Sequence, residues 1–120
     1  MVAINFQPMF VDMIRSGSKT QTIRRSARAE AGDTLQLYTG QRTKECRLIG
    51  TAKCLHCEPI TIAEGHVSTG YHRLTEGDAL AIAKRDGFES VATMTDWFRE
   101  RYGLPFEGHR IMWNEFRKPE

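Results

Sequence analysis

The octapeptide GSKTQTIR, residues 17–24, places an amine, two hydroxyl groups and a guanidinium within its last six positions. Its first glycine can end a preceding helix in a left-handed conformation, and the Thr-Gln-Thr-Ile run favours extended backbone. The chain is therefore predicted to turn here and to enter a strand. Side chains alternate along a strand, so Thr20, Thr22 and Arg24 would share a polar face while Gln21 and Ile23 take the other, partly apolar face. Lys19 could meet Thr22 only from the turn.

This octapeptide resembles the signature of the ASCH family, G-x-K-x-x-T-x-R, which follows the first helix in those domains. All four signature positions match, at Gly17, Lys19, Thr22 and Arg24. Further similarity covers nearly the whole chain, through GDTL at residues 32–35, AKRDGF at 83–88 and IMW at 111–113. The resemblance implies an α+β fold, a small mixed β-barrel of the PUA-like/ASCH type with flanking helices.

The composition indicates a single domain spanning residues 1–120. Of the 120 residues, 40% are hydrophobic and 27% are charged, as in globular proteins that build one core. The apolar runs are too short to span a bilayer and the N-terminus lacks a secretory signal, so we expect a cytoplasmic location and no membrane partner. The three cysteines cannot all pair with one another, and we expect reduced thiols.

Positive charge is concentrated in the first half of the chain. Residues 1–53 carry nine Lys or Arg against four acids, whereas residues 54–120 carry eight against eleven. These counts give +5 (9 − 4) and −3 (8 − 11), although the whole chain is only +2. A cationic cluster in this half consists of Arg15, Lys19, Arg24, Arg25 and Arg28. Its local positive field suits phosphate, and it is equally compatible with a solvated, solubilising loop.

Hydrophobic patterning predicts where the other elements lie. Strands are expected at residues 2–6, 34–39, 45–57 and 109–116, the third bending at Gly50 and followed by a separate strand-like run at 60–62 beyond Pro59. A short helix should begin near Pro8 and end at Gly17, and two later helices should follow capping boxes. Residues 64–74 show no clear periodicity and are interpreted as a loop and the best candidate for a lid. The two capping boxes are Thr75 with Asp78 and Thr93 with Asp96.

Two kinds of chemistry are open to the octapeptide. A lysine that is partly desolvated near another cation can take the proton of a hydroxyl, so Lys19 beside Arg24 could activate Thr22 as a nucleophile. Alternatively, Lys19 and Arg24 hold a phosphate while Thr20 and Thr22 fill a strand. The residues alone leave both interpretations open.

The ASCH resemblance implies a more specific reaction. Some small ASCH proteins are amidohydrolases that deacylate N4-acetylcytidine with a lysine and a threonine of this motif and a glutamate from a later helix. Lys19 and Thr22 match the lysine and the threonine. Aligning the ends of the later helix puts Asp86 at the position of the glutamate, with Glu89 as a substitute. Thr22 would form an acyl-enzyme that water hydrolyses, and Arg24 or backbone N–H groups would stabilise the oxyanion.

Candidate substrate-binding residues are those that could contact the pyrimidine or its sugar. Aromatic rings can stack on a base, although each is also compatible with ordinary packing. No metal and no cofactor is required by this reaction. The candidates are Thr20, Arg24, Tyr38 and Tyr71, with Trp113 as a further ring that could stack.

Two rival interpretations remain. Cys54 and Cys57 form a C-x-x-C that suggests zinc, but a regular strand would point the two thiols to opposite faces, so buried reduced thiols are favoured. The second rival is an RNA-binding module, with or without ribonuclease activity, as the relation to PUA domains implies. Such a module would use the basic residues and exposed aromatics. The expected partner is therefore a modified cytidine nucleoside or RNA, and no obligatory protein partner is evident.

Overall fold

One long strand organises the fold. The computed structural model describes residues 1–26, 28–70 and 72–119. In chain order the elements are β1 (Val2–Phe6), a 3₁₀ turn (Pro8–Phe10), α1 (Val11–Ser16), β2 (Gln21–Arg24), β3 (Thr34–Thr39), the long strand β4 (Arg47–Ala63), β5 (His66–Thr69), β6 (His72–Arg73), α2 (Glu76–Arg85), α3 (Val91–Tyr102) and β7 (Phe106–Arg117).

Strand β4 pairs with three others along its length. Its first half runs antiparallel to β3, its last four residues pair with β5, and β7 follows it on the other side. Strand β1 lies parallel to β3, and β2 is antiparallel to β7 with Thr22 opposite Ile111. Within the described residues these pairings form one seven-stranded mixed sheet, in which β1, β2 and β6 each have a single partner strand. The predicted α+β class is confirmed, whereas closure into a barrel stays a prediction.

The core lies between the curved sheet and the three helices. Each strand contributes alternate apolar positions, because residues two apart share a face of the sheet. The helices add one apolar face each, from Phe10 to Ile14 in the first helical segment and through Ile82 and Phe98 in the later two. The sheet residues that are at most 3% exposed include Ile4, Phe6, Leu35, Leu37, Ile49, Ile60, Ile62, Phe106, Ile111 and Trp113.

Most local predictions are confirmed. The strands over 2–6 and 34–39 have the predicted bounds, and α1 ends at Gly17, which has φ of 87° in the left-handed region. The predicted N-cap of α2 at Thr75 forms, with the Asp78 N–H donating to Thr75 Oγ1 at 3.1 Å. The predicted bend at Gly50 coincides with a register shift in the β3–β4 pairing.

Three local predictions were wrong. The segment 64–74 was predicted to be a lid loop, but its described residues form a turn and two paired strands, β5 and β6. Hydrophobic periodicity does not detect strands that are held by backbone pairing. Helix α3 is capped by Ser90, which accepts from the Thr93 N–H, so it begins three residues before the predicted box. Pro59 does not interrupt β4, and it pairs with His109 within the strand.

The prediction for the C-x-x-C pair was also wrong. A register shift between Cys54 and His56 places Cys54 opposite Trp113 and Cys57 opposite Ile111. Because those two partners are two positions apart on β7, both thiols lie on the same face of the sheet. Even so, residues 1–26, 28–70 and 72–119 contain no group of three or more His, Cys, Asp or Glu that could hold a metal ion. In the same ranges, no helix is long and apolar enough to cross a membrane.

Gly50 is required by a close backbone approach. A Cβ at this position would overlap the carbonyl of Arg117 and the ring of Phe116. We expect Gly50→Ala to lower the free energy of unfolding by about 1–3 kcal/mol, the usual cost of overpacking, measured by urea titration. Gly77→Ala is the matched control, because a Cβ there meets nothing within 4 Å and Ala favours the helix by about 0.5–1 kcal/mol. Equal effects of the two substitutions would contradict the close approach at Gly50.

Candidate active site

A cleft of about 190 Å³ lies where the end of β1, strand β2 and the C-terminal ends of α2 and α3 meet. Four of the residues singled out in the sequence line it together: Lys19, Thr22, Arg24 and Asp86. They are separated by up to 67 positions in the chain, so only the tertiary fold brings the acid to the octapeptide. The cleft therefore contains an amine, a hydroxyl, a guanidinium and a carboxyl group.

The turn after α1 positions Lys19. The left-handed Gly17 ends the helix, and the Lys19 N–H then donates to the Met13 carbonyl at 3.0 Å. The side chain is only 2% exposed, and its Nζ lies 4.5 Å from the centre of the Phe10 ring. The sequence prediction that Lys19 lies in the turn, and not in the strand, is confirmed.

The end of α2 positions Asp86. The Gly87 N–H donates to the Lys84 carbonyl at 3.0 Å and the Phe88 N–H to the Ala83 carbonyl at 2.9 Å, which is the hydrogen-bond pattern of a Schellman motif. This motif needs a left-handed residue, and Gly87 provides it with φ of 100°. As a result Asp86 and Phe88, on either side of the glycine, both reach the cleft.

Lys19 and Asp86 form a buried pair. Lys19 Nζ donates to the backbone carbonyl of Asp86 at 2.6 Å and lies 3.4 Å from its Oδ1. Burial lowers the pKa of Lys19 below its ordinary 10.5, Asp86 opposes this shift, and the charge of Arg24 adds to it. Burial raises the pKa of Asp86, and Lys19 and Gln21 oppose that shift. Lys19 is therefore an ammonium that loses its proton more readily than an exposed lysine does, and the neutral amine that results carries a lone pair.

Arg24 contacts the Thr22 hydroxyl, the candidate nucleophile of the sequence analysis. Its Nε donates to Thr22 Oγ1 at 2.9 Å, and its guanidinium lies 4.8 Å from the centre of the Phe6 ring. A guanidinium can only donate, so the Thr22 hydroxyl keeps its own hydrogen for another acceptor. The adjacent positive charge also favours an alkoxide at Thr22.

Gln21 is a site residue that sequence reasoning missed. It was assigned to the partly apolar face of the strand, yet it is fully buried, and its Nε2 donates to the Ile82 carbonyl at 3.1 Å and to Asp86 Oδ1 at 3.3 Å. Its Oε1 accepts from Arg110 at 3.0 Å, and Arg110 in turn donates to Glu58 at 2.8 Å. A chain of polar groups, buried except for the partly exposed Glu58, therefore runs from Asp86 along one face of the sheet to β4 and holds the Asp86 carboxyl group in place.

The remaining predicted residues lie elsewhere or outside the described residues. Thr20 anchors the backbone, since its N–H donates to the Arg85 carbonyl at 2.9 Å, and Tyr38 lies half-buried on β3, away from the described lining of the cleft. Glu89 is exposed beyond Gly87, beside Met13 and Ser18. The structure thus places Asp86, and not Glu89, against Lys19. Tyr71 lies outside the described residues.

An aromatic wall from α3 completes the cleft. Trp97 packs against Phe10 and Phe88 with ring centres 6.2 and 5.9 Å away, and Tyr102 lies nearer the mouth. No ligand contact was assigned to Trp97 or Phe98 from the sequence, because an aromatic stripe at helical spacing is also what ordinary core packing produces.

Comparison with solved structures identifies the same fold in the ASCH protein of Zymomonas mobilis. The crystal structure of that protein matches with a TM-score of 0.62 at 16% identity, covering 97% of this chain and 68% of the other. Two variants of it match with TM-scores of 0.61 and 0.60 at 16% and 18% identity, covering 70% and 68% of their chains. No protein-family model and no curated protein sequence matches the chain. The resemblance to ASCH domains is thereby confirmed at the level of the fold.

Removing one member of the buried pair should cost more than removing both. Lys19→Met leaves the Asp86 carboxyl group buried without its cation, and we expect it to lower the free energy of unfolding by about 3 kcal/mol or more. The double variant Lys19→Met with Asp86→Asn should recover part of that loss, because no buried charge is then left unpaired. Urea titration of the two single variants and the double variant measures the coupling. If the losses of the two single variants simply added up in the double variant, the pairing of Lys19 with Asp86 would be contradicted.

Proposed function

We propose that the protein is an amidohydrolase that removes the acyl group from N4-acetylcytidine-type nucleosides. The observation that carries the proposal is a desolvated lysine, held by a carboxyl group, in one small cleft with a threonine hydroxyl that an arginine already contacts. These are the parts that an activated nucleophile requires. The cleft is smaller than the ~300–1,000 Å³ of typical ligand pockets, which favours a single substituted ring over a longer chain.

In the proposed reaction Lys19 acts as the general base. Neutral lysine has two N–H bonds, and Asp86 offers two acceptors for them, its backbone carbonyl and its carboxylate. The lone pair then remains for the Thr22 proton, taken directly or through one water molecule in the cleft. Asp86 is in this scheme the residue that orients the base.

The bond changes follow from these positions. Thr22 Oγ1 attacks the amide carbonyl carbon as its proton passes to Lys19, and the carbonyl oxygen becomes an oxyanion beside the Arg24 guanidinium. The C–N bond then breaks, and the exocyclic nitrogen takes the proton from Lys19. Cytidine departs, and the acyl group stays on Thr22 as an ester. Lys19 then takes a proton from water, and the hydroxide attacks the ester carbonyl carbon. The ester C–O bond breaks as Lys19 returns the proton to Thr22 Oγ1, and acetic acid is released and ionises to acetate.

The reaction is tested by incubating the protein with N4-acetylcytidine. Ultraviolet difference spectroscopy then measures the loss of the acylated chromophore. Thr22→Ala should lower turnover on the order of a thousandfold or more, because no other group supplies the nucleophile. Ser18→Ala is the matched control, since this exposed hydroxyl in the same turn bonds only to its own turn. Equal turnover by Thr22→Ala and Ser18→Ala would eliminate Thr22 as the nucleophile.

The pH dependence of kcat/KM should report the Lys19 amine. A base must be deprotonated to act, so kcat/KM should rise with pH to a midpoint below the ordinary 10.5 of lysine. Arg24→Gln removes a cation that lowers the Lys19 pKa, so the midpoint should move to higher pH while the rate falls. Arg15→Gln, on the exposed last turn of α1, should leave the midpoint unchanged. An unmoved midpoint in Arg24→Gln would show that another group titrates.

RNA binding is the second candidate function, and one observation favours it. Near the cleft mouth the Arg25 guanidinium lies 4.8 Å from the Tyr102 ring centre, and Arg101 lies 4.4 Å from that of Trp97. Exposed arginine and aromatic groups together suit a single strand. Absence of amide cleavage, combined with an RNA affinity that falls steeply with salt, would favour this function, because phosphate contacts release counterions.

A further inference from the structure

Two carboxamides at the cleft have no part in the reaction steps. Asn5 lies near the end of β1, and Gln7 follows with extended backbone at φ −68° and ψ 150°. Side chains two apart in extended chain project to the same side, so both belong to one wall, and both line the cleft. Neither carboxamide is buried, so each is accessible to a ligand.

The oxygen of each carboxamide is already occupied by a group that can only donate. Asn5 Oδ1 accepts from the Gln41 backbone N–H at 2.9 Å, and Gln7 Oε1 accepts from Arg101 Nη2 at 3.1 Å. A backbone N–H and a guanidinium accept nothing, so neither amide can be turned around without losing its bond. The NH₂ groups are therefore what Asn5 and Gln7 have left to offer a ligand.

The other polar side chains at the cleft add to this bias. Arg24 and Arg101 are donors, and the Thr22 hydroxyl keeps a hydrogen to donate, while Lys19 and the Asp86 carboxyl group are already engaged with each other and with Gln21. A ligand edge that is made of acceptors would satisfy such a cleft, whereas an edge that carries a donor would leave two hydrogens facing each other.

We propose that Asn5 and Gln7 bind the acceptor edge of the pyrimidine and so select cytosine over uracil. Cytosine presents O2 and N3 as adjacent acceptors, and acylation of N4 leaves both free. Uracil carries a hydrogen on N3, which would oppose an NH₂ group. The choice of cytosine as the nucleobase rests on the proposed function. Recognition of its acceptor edge requires no turnover, however, and can be measured separately.

Calorimetric titration of the intact protein with cytidine and with uridine tests this selection. We expect the wild type to bind cytidine roughly tenfold more tightly or better, since a site built to hydrogen-bond one group rejects its mismatch. Gln7→Glu and Asn5→Asp are the sharpest variants, because each keeps the acceptor used by Arg101 or Gln41 and replaces only the NH₂ group by an acceptor. Each should abolish the preference or reverse it toward uridine.

Asn114→Asp is the matched control, because it adds the same charge at an exposed position of β7 and should leave the preference unchanged. Equal affinity for the two nucleosides in the wild type, no binding of either, or an unchanged ratio in both cleft variants would overturn the inference. Cytidine preference without hydrolysis of N4-acetylcytidine would reject the proposed reaction and leave edge recognition standing. Hydrolysis of N4-acetylcytidine, together with a cytidine-to-uridine affinity ratio that Gln7→Glu and Asn5→Asp do not change, would support the proposed reaction and reject edge recognition.

Discussion

The burial of the Lys19 ammonium is the constraint on which the rest of the structure depends. Taking a cation of this size out of water costs several kcal/mol, and the cost is offset only where acceptors are held in place. Here the acceptors are the carbonyl and carboxyl groups of Asp86, at the C-terminal end of α2, where helix carbonyls already concentrate negative potential. The end of that helix must therefore lie against the turn after α1.

The same constraint explains why the octapeptide and α2 are joined by several bonds. The Thr20 N–H donates to the Arg85 carbonyl, and Gln21 donates to the Ile82 carbonyl and the Asp86 carboxyl group. The Arg85 and Asp86 carbonyls lie at the helix end, where no helical N–H reaches them, so they are satisfied by the Thr20 N–H and by the Lys19 side chain. Fold and site share these contacts. A group that is costly to bury is for this reason held rigidly, and its pKa is shifted in the direction that a base requires.

Beyond the cleft, the polar chain from Gln21 through Arg110 to Glu58 ties the site to the centre of the sheet. Strands β4 and β7, which carry Glu58 and Arg110, are the longest and most extensively paired strands among the described residues. Each buried polar group in this chain has a partner, so the chain rigidifies the site without leaving an unsatisfied charge. The position of the acid is in this way set by the best-paired part of the sheet.

Local features of the fold were determined by the sequence alone. Gly17 and Gly87 end their helices because glycine adopts positive φ without steric cost, and the alternation of Leu35 and Leu37 defines a strand face. Patterns of this kind located Lys19 in its turn and singled out Thr22 and Arg24 beside it, whereas Asp86 came from the resemblance to ASCH domains. Such signals are readable because they depend on neighbours within a few positions.

Only the tertiary structure decided what depends on distant partners. Gln21 was assigned to an apolar face, since no local pattern shows that Asp86 and Arg110 would surround it, and residues 64–74 lacked periodicity because the β5–β6 hairpin is held by backbone pairing. The choice of Asp86 over Glu89 likewise followed from the turn at Gly87, which directs one acid inward and leaves the other in solvent. The octapeptide thus specified which groups are present, and long-range packing specified which of them are desolvated and paired.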